Sequence, residues 1–376
     1  MLTLMLIGAA LTFNIHPAMA SETVYIRANG SIDPPTAPIS SLDDITYTFT
    51  DDIYDSIVVE RSNIIIDGNR HILQGSGSGN GFSWNSVNNV TVKRTNIKDF
   101  EIGILLQATL DSSIFGNNMA NNSHSGIFLI ASENNSVFGN TVTNNWIGIG
   151  LEIEVSHNRI AGNKIVNNSA DGIFVNDQSN HNNITENYIA DNGGGLYIGP
   201  LPCSGNLIFH NNFINNTNHQ AIVTSMEPSI NTWDDGYPSG GNYWSDYLTR
   251  YPSAQELDDS GIWDTPYNID ENNQDNYPLM EPWAPPSTIP TTIGELKTKI
   301  MELGSEGEID NQGIVNSLVS KLDVAQKLVD KGKIHAAKTV LANAFISQVQ
   351  GLSGIRIAVE AADIIVESAQ YIISHL

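Results

Sequence analysis

A small residue followed by apolar-x-apolar recurs through the middle of the chain at a nearly fixed interval. It reads Gly81-Phe82-Ser83-Trp84, Gly103-Ile104-Leu105-Leu106, Gly126-Ile127-Phe128-Leu129, Gly148-Ile149-Gly150-Leu151, Gly172-Ile173-Phe174-Val175 and Gly195-Leu196-Tyr197-Ile198, and closes at Gln220-Ala221-Ile222-Val223. Successive starts lie 22, 23, 22, 24, 23 and 25 residues apart. Between starts, asparagine alternates with apolar residues: Asn135, Val137, Asn140, Val142, Asn145, and again from Asn158, Asn182 and Asn206. A fixed period of about 20–50 residues signals a repeat architecture. The apolar-x-apolar runs carry the two-residue alternation of strands and are too short for helices. They break at Gly or Asn, which tolerate the left-handed backbone of a sharp corner. Three short strands per repeat predict one coil of a right-handed parallel β-helix. Coils then stack at about 4.8 Å. Asn117, Asn140, Asn163, Asn187 and Asn211 should form a ladder at one corner, their amides bonding up and down the stack.

The boundaries follow from where the period starts and stops. Residues 1–20 read as a secretory signal, with an apolar Leu2–Phe13 stretch and an Ala18-Met19-Ala20 cleavage site, although a basic leader is missing. Residues 21–55 are assigned as an N-terminal cap and 56–230 as the coils. Residues 231–281 form a cap rich in aromatic and acidic side chains, and 282–291 a proline-rich linker. Residues 292–376 turn helical. Ile314, Leu318, Leu322, Ala325 and Val329 share a face after an N-cap at Asp310. Ala337, Leu341, Phe345 and Val349 mark a second helix, and Ala361, Ile364, Ile365, Ser368 and Ile372 a third. The fold class is mainly β: a parallel β-helix, a single-stranded solenoid, followed by a small all-α bundle. No later stretch reaches the length of a transmembrane helix.

Charge narrows the partners. The chain has 17 basic and 41 acidic residues, a net charge of −24. That argues against nucleic acid and against tight binding of a polyanionic glycan unless a divalent cation bridges the two. A single cysteine, Cys203, allows no internal disulfide. Sequons begin at Asn29, Asn89, Asn121, Asn134, Asn167, Asn183 and Asn215, compatible with export.

If the flanking residues of each apolar-x-apolar run point inward, the middle ones face out: Leu105, Phe128, Gly150, Phe174, Tyr197 and Ile222. Sugar faces stack on aromatic rings. The candidate glycan platform is therefore Phe128, Phe174 and Tyr197, joined by Trp233, Tyr243 and Trp244 of the C-terminal cap. The alternative is that another part of the chain, or a second subunit, covers this stripe. Two metal sites are considered. Asp264, Asp270 and Asp275 could take Ca2+, though the segment is no EF-hand loop. His157 and His181 fall in one column on adjacent coils, which would put two imidazoles about 5 Å apart. Two histidines are a weak copper set, so copper is not expected and no cofactor is required. Catalysis finds little support. No Lys or Arg lies between Lys164 and Arg250 to act as a lyase base. Glu133, Glu152, Glu154 and Asp171 are the acids a glycosidase would draw on. No catalytic residue is assigned.

The repeats, with the entry segment Ile65-Ile66-Asp67-Gly68-Asn69-Arg70-His71-Ile72-Leu73-Gln74-Gly75, resemble the NosD-type β-helix family, part of a wider group of carbohydrate-binding and sugar-hydrolase repeats. Trp233–Tyr247, Asp264–Tyr267 and Asp275–Leu279 are similar to the segment that closes many archaeal and some bacterial members. Asn343–Val349 and Ala361–Ala369 look like the small helical FIMAH module. The resemblance implies the fold and secretion; together with the aromatic stripe and cap, the expectation is an exported, non-catalytic, archaeal cell-envelope protein that binds a polysaccharide, a glycoprotein or another envelope component, with a protein partner for the helical module. Its family name implies a second role, accessory to copper-site maturation in the periplasm. The sugar-hydrolase branch implies a third, a polysaccharide lyase or glycoside hydrolase.

Overall fold

The computed structural model describes residues 23–224, 227–284, 290–305, 308–354 and 356–376. The segment read as an export signal lies outside them, as do residues 285–289 of the linker. The chain divides into two units, at 1–283 and 284–376.

The first unit is a parallel β-solenoid of about 8 turns. Each coil contributes one strand to each of three sheets. In chain order within one coil these are Ser125–Ile130 in the first sheet, Ser136–Phe138 in the second and Thr141–Thr143 in the third. Among the described residues the sheets hold ten, nine and eight strands. Register is kept from coil to coil, because the two-residue alternation leaves only one pairing that keeps the apolar faces inside. On the first sheet Ile104, Ile127, Ile149, Ile173 and Leu196 follow one another inward. On the second sheet Val92, Ile114, Val137, Ile160, Ile184 and Ile208 do the same. All of these are fully buried.

Asparagines stitch the three corners. At the corner between the second and third sheets, the backbone N–H of each ladder residue donates to the side-chain carbonyl of the next. The series runs Asn117, Asn140, Asn163, Asn187, Asn211 and Asn242, at 3.0–3.1 Å. Each Nδ2 also donates to a backbone carbonyl of a neighbouring coil, as Asn163 does to Val137 at 2.9 Å. Similar ladders run from Asn135 through Asn158, Asn182, Asn206 and Asn231 to Asn273, and from Asn122 through Asn145, Asn168 and Asn192 to Asn216. Satisfying buried amides this completely is what lets the corners turn without water.

Both ends are finished by other means. Val24–Ile26 pairs parallel with Ile57–Val59, so the ladder already includes the first described strand. Antiparallel strands Ile32–Asp33 and Ile39–Ser40 then occupy the edges. At the far end Trp244 stacks on Phe213 at 4.6 Å, and Tyr267 on Trp244 at 4.1 Å. The inward column of the third sheet thus continues as stacked rings.

The second unit has helices at Ile293–Ser305, Gln312–Asp330 and Val359–His375, with Ile334–Leu352 helical between them through a π-helical stretch at Val340–Ile346. Leu296, Leu318, Leu322, Leu341, Phe345 and Ile365 make its core. The Gln312 helix is capped by Asn311, whose side chain accepts from Ile314 N–H, and not by Asp310. Asp310 is taken by an ion pair with Arg356.

Candidate functional site

On the first sheet the outward column is a continuous ladder: Ser83, Leu105, Phe128, Gly150, Phe174, Tyr197 and Ile222. Parallel pairing in register places these side chains one above another at the coil spacing of about 4.8 Å. Phe174 and Tyr197 stack at 5.3 Å with planes 9° apart, and both are half-buried. The Tyr197 hydroxyl accepts from Thr224 Oγ1 at 2.8 Å. Phe128 behaves differently. Its ring leans over Gly150, where a Cβ would come within 2.3 Å of Phe128 Cδ2, and it is only 7% exposed. His124 meets both Phe128 and Trp146 edge-on, at 5.4 and 5.1 Å.

Polar groups flank the rings. On one side Asp171 Oδ1 lies 3.1 Å from His219 Nε2, though off the line of a hydrogen bond. On the other, Asn176 Nδ2 donates to Glu152 Oε1 at 3.3 Å. Asp171 and Glu152 sit at opposite ends of the strand register, five residues apart, or roughly 16 Å. That exceeds the separation of about 5–9.5 Å that a glycosidase pair needs.

The expected platform therefore splits. Phe174 and Tyr197 form an accessible stacked pair, with Phe128 tucked in beside them. Trp233 and Trp244 are corrected: both are 1% exposed, packed over the last coil because their rings continue the core. Tyr243 lies on the third sheet, in register with Asn212, and does not join the stripe. The contact of Asp171 with His219 was not foreseen. Its signal was the run Gly193-Gly194-Gly195, where earlier coils carry one glycine.

The candidate metal residues do not converge. Asp275 is fully buried and accepts from Asn242 N–H at 2.7 Å, Trp244 Nε1 at 2.9 Å and Tyr277 N–H at 3.1 Å. Burial pushes its carboxyl up to about 7, against the pull of those donors. Asp264 holds the Gln255 N–H, and Asp270 the Asn272 N–H. These three do not form a calcium site. His157 and His181 do stand on adjacent coils, 5.4 Å apart with planes 6° apart. An imidazole binds a metal in its own ring plane, so parallel stacked rings do not aim at one ion. Among the described residues, the one group of three such side chains with converging donor atoms is Asp51, Asp52 and His71, within 4.8 Å of one another.

Residues 39–249 match the family described as periplasmic copper-binding protein (NosD), and residues 293–374 match the FIMAH domain. No curated protein matches the chain. Among solved structures it is similar to the A-module of the Azotobacter vinelandii mannuronan C-5 epimerase AlgE6 (14% identity, 56% of this chain and 64% of that one, TM-score 0.33). It is also similar to the Dettilon tailspike protein gp208 (12%, 50% and 59%, 0.31) and to the enzymatically active domain of tailspike protein 2 of bacteriophage CBA120 (13%, 55% and 44%, 0.35). The chain therefore spans under two thirds of the length of each. Copper fits the residues poorly. The histidine pair is stacked, Cys203 is buried, and the Asp51–Asp52–His71 group offers hard oxygens with a single imidazole. No helix among the described residues is long and apolar enough to cross a membrane.

Proposed function

Because the chain belongs to the family described as periplasmic copper-binding protein (NosD), yet places an accessible aromatic pair on a rigid sheet, we propose that this member binds a glycan of the cell envelope on its first sheet without cleaving it. The stacked Phe174–Tyr197 pair carries this reading. The two stacked rings, fixed by backbone pairing, present a firm apolar ridge that needs no reorganisation to receive sugar C–H groups. Thr224, Asn176, Glu152 and the Asp171–His219 pair stand beside it to accept and donate hydrogen bonds to hydroxyls. Catalysis is disfavoured by the distance between the flanking carboxylates and by the lack of any Lys or Arg between Lys164 and Arg250. Export to the envelope, and a protein partner for the helical unit, belong to the same proposal.

The test is binding to a panel of neutral and acidic polysaccharides, with calcium and with chelator, followed by assay for new reducing or unsaturated ends. Binding without new ends, weakened roughly tenfold by Tyr197→Ala or Phe174→Ala, is the expected result. New ends, or binding indifferent to both substitutions, would overturn it.

A further inference from the structure

A second aromatic stack stands on a different face. Phe115 and Phe138 pair in register on the second sheet, their rings 4.9 Å apart and 14° from parallel. Both are half-buried. The next position in that column is Ala161, too small to extend the stack. Arg159, one coil on, reaches back so that its guanidinium carbon lies 5.9 Å from the centre of the Phe138 ring. The chain then turns the corner at Gly116, Gly139 and Gly162, at φ of 61°, 60° and 62°. A Cβ on any of the three would meet nothing within 4 Å. For three successive coils the corner is a bare shelf. At its far side Gly162, Asn163, Lys164, Glu186 and Tyr188 line an open cleft of about 340 Å3.

The charges are distributed unevenly around this shelf. Residues 1–291 carry −22 of the net −24, since the helical segment has 8 basic and 10 acidic residues. Arg159 and Lys164 are the only basic residues between Arg94-Lys98 and Arg250; Lys164 follows the glycine corner directly, and Arg159 stands at the other end of the three-residue strand that leads into it. Neither makes an ion pair among the described residues. An exposed guanidinium at an aromatic stack beside a side-chain-free shelf combines the two elements that recognise an acidic sugar: an apolar surface for the ring's C–H groups and a planar fork for the carboxylate.

We propose that this corner is a second saccharide site, selective for a sugar that bears an isolated carboxylate. The sugar would lie along the outward edges of the Phe115–Phe138 stack with its carboxylate on Arg159, and the chain would continue across the glycine shelf toward Lys164 and Tyr188. Glu186 in the cleft and the negative charge of the unit favour a single acidic sugar among neutral ones over a polyanion. The site is independent of the Phe174–Tyr197 platform, which lies on another sheet.

The test uses a matched pair of probes, cellobiouronic acid and cellobiose, titrated into the full chain carrying Tyr197→Ala, so that the first-sheet platform contributes least. The acid is expected to bind about tenfold more tightly than the neutral disaccharide, with the preference shrinking in 0.5 M salt. Arg159→Gln, an exposed change, should abolish the preference, and Arg159→Lys should restore it only in part. Phe138→Ala should weaken both probes, with the unfolding midpoint checked alongside. Equal binding of the two probes, no binding of either at millimolar concentration, or a preference that survives Arg159→Gln would overturn the proposal. These outcomes leave the first-sheet reading untouched, since that reading is judged by the effect of Tyr197→Ala on polysaccharide binding.

Discussion

Asp171 and His219 come from coils two apart and meet at 3.1 Å through the space above Gly194, which has no side chain to keep them separate. Gly194 lies in register with Asp171, and a Cβ there would fall 2.1 Å from Asp171 Oδ1 and 2.4 Å from His219 Nε2. Its neighbour Gly195 is crowded differently: a Cβ would lie 2.1 Å from the backbone oxygen of Gln220. Side-chain ends can swing away, whereas a backbone carbonyl in a parallel ladder cannot. Gly194→Ala is therefore expected to cost about 1 kcal/mol, since only two side-chain ends must move aside. Gly195→Ala should cost more, about 3 kcal/mol. Urea unfolding of the solenoid measures both, and equal tolerance of the two substitutions would contradict the described packing.

Asn163 sits in the middle of its ladder and its side chain makes five hydrogen bonds to four residues. Its Oδ1 accepts from the N–H and the Nδ2 of Asn140, and its Nδ2 donates to Val137, Ala161 and Asn187. Asn163→Ala strands the buried Asn140 N–H and takes one hydrogen bond each from Asn140 Nδ2 and from the Val137, Ala161 and Asn187 carbonyls, so a loss of about 2–4 kcal/mol is expected. Asn163→Asp keeps the acceptor but loses the donors and faces the Asn187 carbonyl. At neutral pH it should be at least as damaging. Loss below about 1 kcal/mol for either variant would mean that the ladder is incidental to stability.

The same ladder ends in a group of another kind. Asn242 N–H donates to Asp275, whose oxygens occupy the space where Gly241 has no Cβ. A carboxylate has no hydrogen to donate, so it can end a series of donors with no further partner. Its desolvation raises the folded value to about 7, against an unfolded value of about 3.9. The folded state therefore holds the proton more tightly than the unfolded chain does. The resulting stability is complete below about pH 4 and is lost as the pH rises through about 7, by on the order of 4 kcal/mol at most. Comparing the unfolding midpoints of the wild type and Asp275→Asn from pH 4 to 8 isolates this contribution. The difference between the two should shift toward the variant as pH rises, and a pH-independent difference would rule out the linkage.

The solenoid was legible because its information is repeated. The glycine starts and the asparagine spacing each state the same register several times, and Asn117 through Asn211 align in the structure as their spacing required. The C-terminal closure was less legible. Composition shows that Trp233, Trp244 and Asp275 are aromatic or acidic, but not whether a loop turns them outward to a ligand or inward over the last coil. Once the period ends, nothing in the sequence fixes that direction. The second aromatic stack was visible in principle. Ile114-Phe115-Gly116-Asn117 and Val137-Phe138-Gly139-Asn140 repeat the same four-residue pattern one coil apart. The six-residue strands of the first sheet carry a stronger periodic signal than these three-residue ones.

All three asparagine ladders run in one sense, each backbone N–H reaching for the amide of the coil that follows. A coil thus offers its predecessor the same three acceptors that it seeks from its successor. Such a unit is interchangeable. Removing or duplicating one whole repeat leaves every corner with a partner, whereas an insertion of a few residues breaks all three series at once. The length of the rod is accordingly adjustable in steps of about 4.8 Å, and a lineage can tune its reach by copying a coil without inventing a new contact.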